Sequence, residues 1–214
     1  MNKKALIFWG GWEGHEPEAC SAIVEDMLRT EGFDTRREEG TAVLGEEGLG
    51  QYDLIVPVMT QAQVGKDELA NLLAAIEAGT GLGGFHGGMG DTFRADPAYQ
   101  FMVGGQWVAH PGNILDYRIE ITRPEDPLVE GIGDFDYRSE QYYLHVDPGI
   151  EVLATTTFSG EHAPWTKGTV MPVVWKHRYG QARVFYSALG HVASEFEVPQ
   201  MKEILRRGLL WAAR

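Results

Sequence analysis

Cysteine is almost missing from this chain of 214 residues: Cys20 stands alone. No intrachain disulfide and no cysteine-based metal cluster can therefore form. Cys20 falls within an expected helix, where a small buried apolar side chain is the plain expectation rather than a nucleophile. Positive charge is also scarce. Lys and Arg number 18 against 31 Asp and Glu, a formal net charge of −13. That field repels polyanions, so nucleic acid is not an expected partner. No apolar run reaches the roughly 20 residues a membrane span needs. The run Ala5 to Trp9 is too short for a signal-peptide core, and Gly10-Gly11 follows it without a cleavage-like site. A cytoplasmic protein with no membrane partner is the expectation. There is no H-E-x-x-H, and Gly81-Leu82-Gly83-Gly84 does not complete G-x-G-x-x-G because His86 takes the sixth position. No nucleotide cofactor is expected. Repeats, low-complexity tracts and linkers are absent too, which makes residues 1–214 one expected domain.

What is present is a composition of 43% hydrophobic and 23% charged residues, that of a globular chain. The first half alternates strand and helix signals. Lys4 to Trp9, Phe33 to Arg37, Asp53 to Val58 and Gly81 to His86 read as strands, with Pro57 marking the end of the third. Pro17 to Arg29 and Lys66 to Ala78 carry apolar residues at helical spacing and stop near Gly32 and Gly79. Strands with little polar alternation, separated by amphipathic helices, point to a parallel sheet with right-handed crossovers. The second half is richer in strand: Asp116 to Thr122, Tyr142 to Val146, Glu151 to Phe158, Thr169 to His177 and Ala182 to Leu189. Tyr179-Gly180-Gln181 joins the last two as a hairpin. Glu195 to Ala213 is the terminal helix. The fold class is α/β: a three-layer, flavodoxin-like parallel sheet with an antiparallel extension.

In an open parallel sheet, ligands bind beyond the carboxyl ends of the strands. The polar residues that follow strands are therefore the candidates. After the first strand come Gly10-Gly11-Trp12-Glu13-Gly14-His15-Glu16-Pro17, which set His15 at a helix start. Gly84-Phe85-His86-Gly87-Gly88 has the spacing of a nucleophile elbow, a turn so tight that its neighbours must be small. An imidazole there is a poor acyl nucleophile but a good general base or metal ligand. His110 precedes Pro111, which holds it extended. Glu140 and Tyr142 share a face if their segment is a strand, with Tyr143 and His145 on the other. His191 follows the last buried strand through Gly190. His162 and His177 read as surface residues. The catalytic candidates are thus His86, His110, Glu140 and His191. Trp12, Trp107, Tyr142 and Trp165 are candidates to stack on a sugar. His15, His86 and His191 are candidates to hold a divalent metal, zinc above others.

Taken together, Trp9 through Pro17, Gly84 through Gly88, Gly104-Gly105 through His110-Pro111, Glu140-Gln141-Tyr142, and Met171 through His191 resemble the ThuA-like (trehalose utilization) family over nearly the whole chain. The resemblance implies a class I glutamine-amidotransferase-like fold. It also implies a link to the catabolism of trehalose and related disaccharides through their 3-keto derivatives. The matching positions are His15, His86, His110, Glu140, Tyr142 and His191. Amidotransferases carry cysteine on the elbow where this chain has His86, so glutamine hydrolysis through a thioester is excluded.

The expected activity is that of a hydrolase, lyase or isomerase on a sugar or keto-sugar, using histidine and glutamate acid–base or metal-assisted chemistry. The competing expectation is a non-catalytic sugar-binding or regulatory subunit that partners a sugar oxidoreductase. An esterase or amidase would need serine or cysteine at the elbow. A small-molecule sugar is the expected ligand and a homo-oligomer the expected assembly.

Overall fold

A computed structural model describes residues 2–214. In chain order the strands are β1 (Lys4–Gly11), β2 (Asp34–Glu39), β3 (Leu54–Thr60), β4 (Gly81–Phe85), β5 (Gly105–Ala109), β6 (Ile114–Ile121), β7 (Phe135–Glu140), β8 (Tyr143–Val146), β9 (Glu151–Thr157), β10 (Val170–Tyr179) and β11 (Ala182–Ser187). The helices are α1 (Pro17–Thr30), α2 (Lys66–Glu77), α3 (His86–Gly90), α4 (Pro97–Val103) and α5 (Pro199–Ala212). Nine strands form one sheet in the order β2-β1-β3-β4-β11-β10-β9-β6-β7, and β5 pairs with β8 in a separate ribbon.

The apolar runs become the middle of the sheet. Ala5 to Phe8 of β1 are fully buried, and every residue of β3 and β4 is buried. Such strands need cover on both faces. α1 packs on β1 and β2, and α5 on β4 and β11. Arg206 of α5 donates to Glu31 at the end of α1 (2.8 Å), which ties these two helices together. α2 packs against α4, which covers β10 and β11. The β2-β1-β3-β4-β11 half is parallel throughout, with the 2-1-3-4-5 order of a flavodoxin-like fold. From β10 onward the pairing is antiparallel. The β10–β11 hairpin turns through Gly180-Gln181, with Tyr179 opposite Ala182. Among the described residues no helix is long and apolar enough to cross a membrane.

The structure corrects several readings of the sequence. Pro57 does not end its strand: β3 continues to Thr60. Its ladder to β4 closes at Ile55, so a missing N–H at Pro57 breaks no bond on that side. β5, β7, α3 and α4 have no counterpart among the predicted elements. The terminal helix begins at Pro199, a residue suited to the first turn, after a separate 3-10 turn over Ala193–Glu197. Tyr142 lies outside any strand, because the chain breaks at Gln141-Tyr142 between β7 and β8. Both Glu140 and Tyr142 are nevertheless buried while His145 is exposed, the partition expected for a strand but produced by a turn.

Candidate metal centre

The carboxyl ends of the parallel strands meet at one edge, and the site is built from the segments that leave it. At the end of β1, Gly11 has φ +82, and a Cβ there would lie 2.0 Å from the Thr60 carbonyl oxygen. Only glycine lets β1 finish so close to β3. A 3-10 turn over Glu13–His15 follows, and Pro17 opens α1. The expectation that placed His15 near a helix start is met, but the ring is buried rather than solvated. Its Nδ1 lies 2.8 Å from Thr60 Oγ1, at the end of β3.

His86 leaves β4 with φ 46, a left-handed conformation that costs a non-glycine residue about 1–3 kcal/mol. Its neighbours are glycines for steric reasons. A Cβ on Gly87 would lie 2.5 Å from His15 Cε1, and one on Gly88 would lie 3.1 Å from Val58 Cα. The elbow is therefore pressed against both His15 and β3. His86 Nδ1–H donates to the Ala188 carbonyl at 2.8 Å, just past the end of β11. With that proton assigned, the neutral ring turns the lone pair of Nε2 toward Glu140 Oε2 at 3.2 Å and His191 Nδ1 at 3.3 Å.

Glu140, the last residue of β7, is the hub. Its Oε2 lies 3.2 Å from His86 Nε2, 3.4 Å from His191 Nδ1 and 3.7 Å from His15 Nε2, while its Oε1 lies 3.6 Å from His110 Nε2. Burial pushes its carboxyl up, but the imidazoles around it, His15 foremost, outweigh this and hold it well below the usual carboxylate range. Burial drives the His86 imidazole down to about 4 against the opposing pull of Glu140, and lowers His191 as well. The site thus sets a carboxylate against two imidazoles, His86 and His191, that burial keeps from taking up a proton.

His191 is held through its backbone. Its N–H donates to Glu195 Oε2 (2.9 Å), which also accepts from Tyr137 Oη (2.5 Å), and Gly190 N–H donates to that same hydroxyl (3.2 Å). His110, just after β5, is the more open imidazole, with its side chain 27% exposed. Tyr142 stacks on His86 with ring centroids 4.0 Å apart and faces His110 at 6.2 Å. Trp107 lies 5.6 Å from His110 and under the guanidinium of Arg94 (4.7 Å), itself held by Asp91. Trp12 meets His15 edge-on at 4.7 Å and is 47% exposed. The buried Trp107 Nε1 and His110 Nδ1 have no hydrogen-bond partner among the described residues.

All five candidates among the histidines and Glu140 therefore converge, with three aromatic candidates around them. Trp165 instead stands in solvent, and His177 is half-buried against Gly104. His162 is exposed but lines a cavity, so it is more than a plain surface residue. Sequence reasoning missed Thr60, the Ala188 carbonyl and the Tyr137–Glu195 pair. Thr60 was within reach, since the strand-end criterion that selects His86 selects it too once β3 runs past Pro57.

His15, His86, Glu140 and His191 each bring one donor atom into a group that lies within 4.8 Å of one another. Zinc bonded at roughly 2.0–2.1 Å in a tetrahedron sets its donors about 3.3–3.4 Å apart. The separations of 3.2, 3.3 and 3.4 Å among His86, His191 and Glu140 match that spacing. The donor set fits a divalent ion, and the outer partners of His15 and His86 resemble those that orient metal-bound imidazoles.

The ThuA profile, described as trehalose utilisation, matches residues 4–212. The chain belongs to the ThuA family. No curated protein sequence matches it. Among solved structures, a ThuA-like protein of Parabacteroides merdae superposes with TM-score 0.80 at 18% identity, covering 99% of this chain and 90% of that one. A second, from Bacteroides uniformis, gives TM-score 0.80 at 21% identity over 98% of this chain and 91% of the other. A β-galactosidase from Bacillus circulans is similar at TM-score 0.61 and 16% identity, over 99% of this chain but 30% of its own. These likenesses are of fold. Family membership gives this ThuA chain its general role, trehalose utilisation.

Proposed function

We propose that this ThuA chain is a metal-dependent enzyme that acts on a trehalose-type disaccharide or its 3-keto derivative, with His15, His86, Glu140 and His191 as ligands and His110 as the group that moves a proton. The observation that carries this reading is the facing of His86 Nε2 and Glu140 Oε2 at 3.2 Å. A lone pair and a carboxylate repel one another at that distance, and a cation among the four donors relieves the repulsion. When bound, a divalent ion would polarise a ketone oxygen or acidify a water molecule.

The remaining groups have separate tasks. A C–H beside a ketone is acidic enough for an imidazole to remove its proton. His110 suits that role because it is the open member of the group and contacts only the outer oxygen of Glu140. Isomerisation of the keto-sugar and elimination of the glycosidic oxygen both begin from such a proton transfer, and addition of water to the eliminated product completes a net hydrolysis. Tyr142 and Trp107 supply flat faces for a sugar ring.

The test is metal analysis of protein purified without a histidine tag, joined to incubation with 3-keto-trehalose followed by NMR. The expected result is one divalent ion per chain and conversion of the substrate, with conversion lost in a folded His86→Ala variant. Full turnover by metal-free protein would overturn the metal assignment. Binding without conversion would favour a sugar-binding subunit instead.

A further inference from the structure

Pro111 and Gln141 directly follow His110 and Glu140, and both line a separate cavity of about 310 Å³. Two loops enclose it. A Cβ on Gly112 would lie 2.4 Å from His162 Cδ2, so the loop after His110 closes directly on the loop that carries His162. Asp116, Phe158, Glu161 and His162 contribute to the walls. Gln141 is buried, and its amide is fixed by donation from Nε2 to Thr156 Oγ1 at 2.8 Å.

The chemistry of this lining is selective. It offers carboxylates, an amide and an imidazole, with one aromatic wall from Phe158. No Lys or Arg among the described residues lines it, and the nearby Arg138 is already paired with Asp116 at 2.7 Å. The turn Pro164–Thr166, flanked by the lining residues Ala163 and Thr166, carries Trp165 with 85% of its surface exposed. Its indole face is free to stack on a ring that enters beside the cavity. Carboxylates and amides take hydrogen bonds from sugar hydroxyls, and an indole covers the apolar C–H face of a pyranose. Glu161, in no ion pair among the described residues, repels a phosphate. The volume is at the lower end of the roughly 300–1,000 Å³ of small-ligand sites, which suits one ring.

We propose that this cavity is the subsite for the second, unreacting hexose of the disaccharide, held as a neutral pyranose between the Glu161–His162 loop and Trp165. The assignment of that ring to the second half of the substrate rests on the proposed reaction at His110 and Glu140. The binding of a neutral hexose does not.

The experiment uses the full chain with D-glucose and glucose 6-phosphate as probes, read by protein-observed NMR, beside Trp165→Ala and Glu161→Gln. Glucose should shift the resonances of Gln141, Glu161 and Trp165 in the wild type, and each variant should weaken its binding about tenfold, about 1.4 kcal/mol. Glucose 6-phosphate should bind more weakly than glucose. With 3-keto-trehalose, both variants should raise KM about tenfold at unchanged kcat and unchanged metal content. Glucose shifts elsewhere, variants that bind like the wild type, or tighter binding of the phosphate would overturn the subsite. Glucose bound in the cavity without turnover of 3-keto-trehalose would support the subsite and sink the proposed reaction. Full turnover with KM unmoved in both variants would do the reverse.

Discussion

Replacing Gly87 by alanine adds one methyl group where the elbow is tightest. Gly87 is helical, so alanine strains no backbone angle and the effect is steric alone. The new Cβ would lie 2.5 Å from His15 Cε1, 2.8 Å from its Nδ1 and 2.9 Å from Tyr142 Oη. Carbon atoms in contact sit near 3.5–4.0 Å, so the His15 ring must retreat by about 1 Å. Retreat carries Nδ1 away from Thr60 Oγ1 and Nε2 out of line with Glu140. Overpacking of this kind costs about 1–3 kcal/mol of stability. The functional loss should be larger, because a displacement of about 1 Å at a reacting centre costs roughly 100-fold. Urea unfolding reads the first effect; titration with Zn²⁺ and turnover of 3-keto-trehalose read the second. Gly50→Ala is the matched control, since nothing lies within 4 Å of a Cβ there, and it should change stability by less than about 0.5 kcal/mol. A Gly87→Ala protein with wild-type metal affinity and turnover would refute the argument that the glycine exists to admit His15.

Glu140→Gln removes the hub's charge, and metal affinity should fall beyond the roughly 10–100-fold that loss of an outer partner causes, as measured by competition with a chelator. Tyr137→Phe leaves Gly190 N–H and Glu195 short of a partner; stability should fall by about 1–3 kcal/mol in urea, and metal affinity should fall with it because His191 hangs on Glu195. Cys20 is buried, and burial first, then Glu16 and Glu195, pushes its thiol up to about 12. It should resist iodoacetamide at pH 8 and react only after denaturation; rapid labelling of the folded protein would contradict the packing of α1. Glu203 is held down to about 2 from its ordinary 4.5, chiefly by the hydrogen bond from Arg206. The unfolded chain then binds the extra proton between those values, so this contribution is present above pH 4.5 and lost as pH falls toward 2. The side chain is a third exposed, which limits the gain to about 1 kcal/mol, and Glu203→Gln should lower the urea midpoint at pH 7 but not near pH 2.

The sequence announces the parallel half because its signals are local. Ala5 to Phe8 and Leu54 to Met59 are apolar runs of strand length, and the glycines around His86 mark a tight turn on their own. The strand-end rule then places His15, His86 and His191 on one edge without any contact being known. β7 is harder to see. Phe135 and Tyr137 point inward while Asp136 and Arg138 are exposed, so the alternation is there but spans few residues. β5 is half-buried and pairs only with β8, so no strong period marks it. The roles of Thr60 and the Ala188 carbonyl depend on which nitrogen of each imidazole faces the centre, and residue order carries no information about that.

The position of Glu140 also explains what the antiparallel extension is for. In the sheet order, β7 stands five strands from β4, which is about 24 Å in a flat sheet at roughly 4.8 Å per strand. Yet the carboxylate at the end of β7 lies 3.2 Å from the imidazole at the end of β4. The sheet must curl over its own carboxyl edge, more than a uniform gentle twist would bring it. Two devices supply the bend. The β9–β10 ladder shifts register on both sides of Val174, as a bulge does. β6 then meets β9 through only two residue pairs, Glu120 with Thr155 and Ile121 with Ala154, before it pairs at length with β7. Tyr137 fixes the curled strand in place by bonding to Glu195, in the loop that also carries His191. The parallel half supplies three imidazoles, none of them an anion. The extension folds back to deliver the one carboxylate they share, and with it the His110 and Trp107 ribbon that closes the open side.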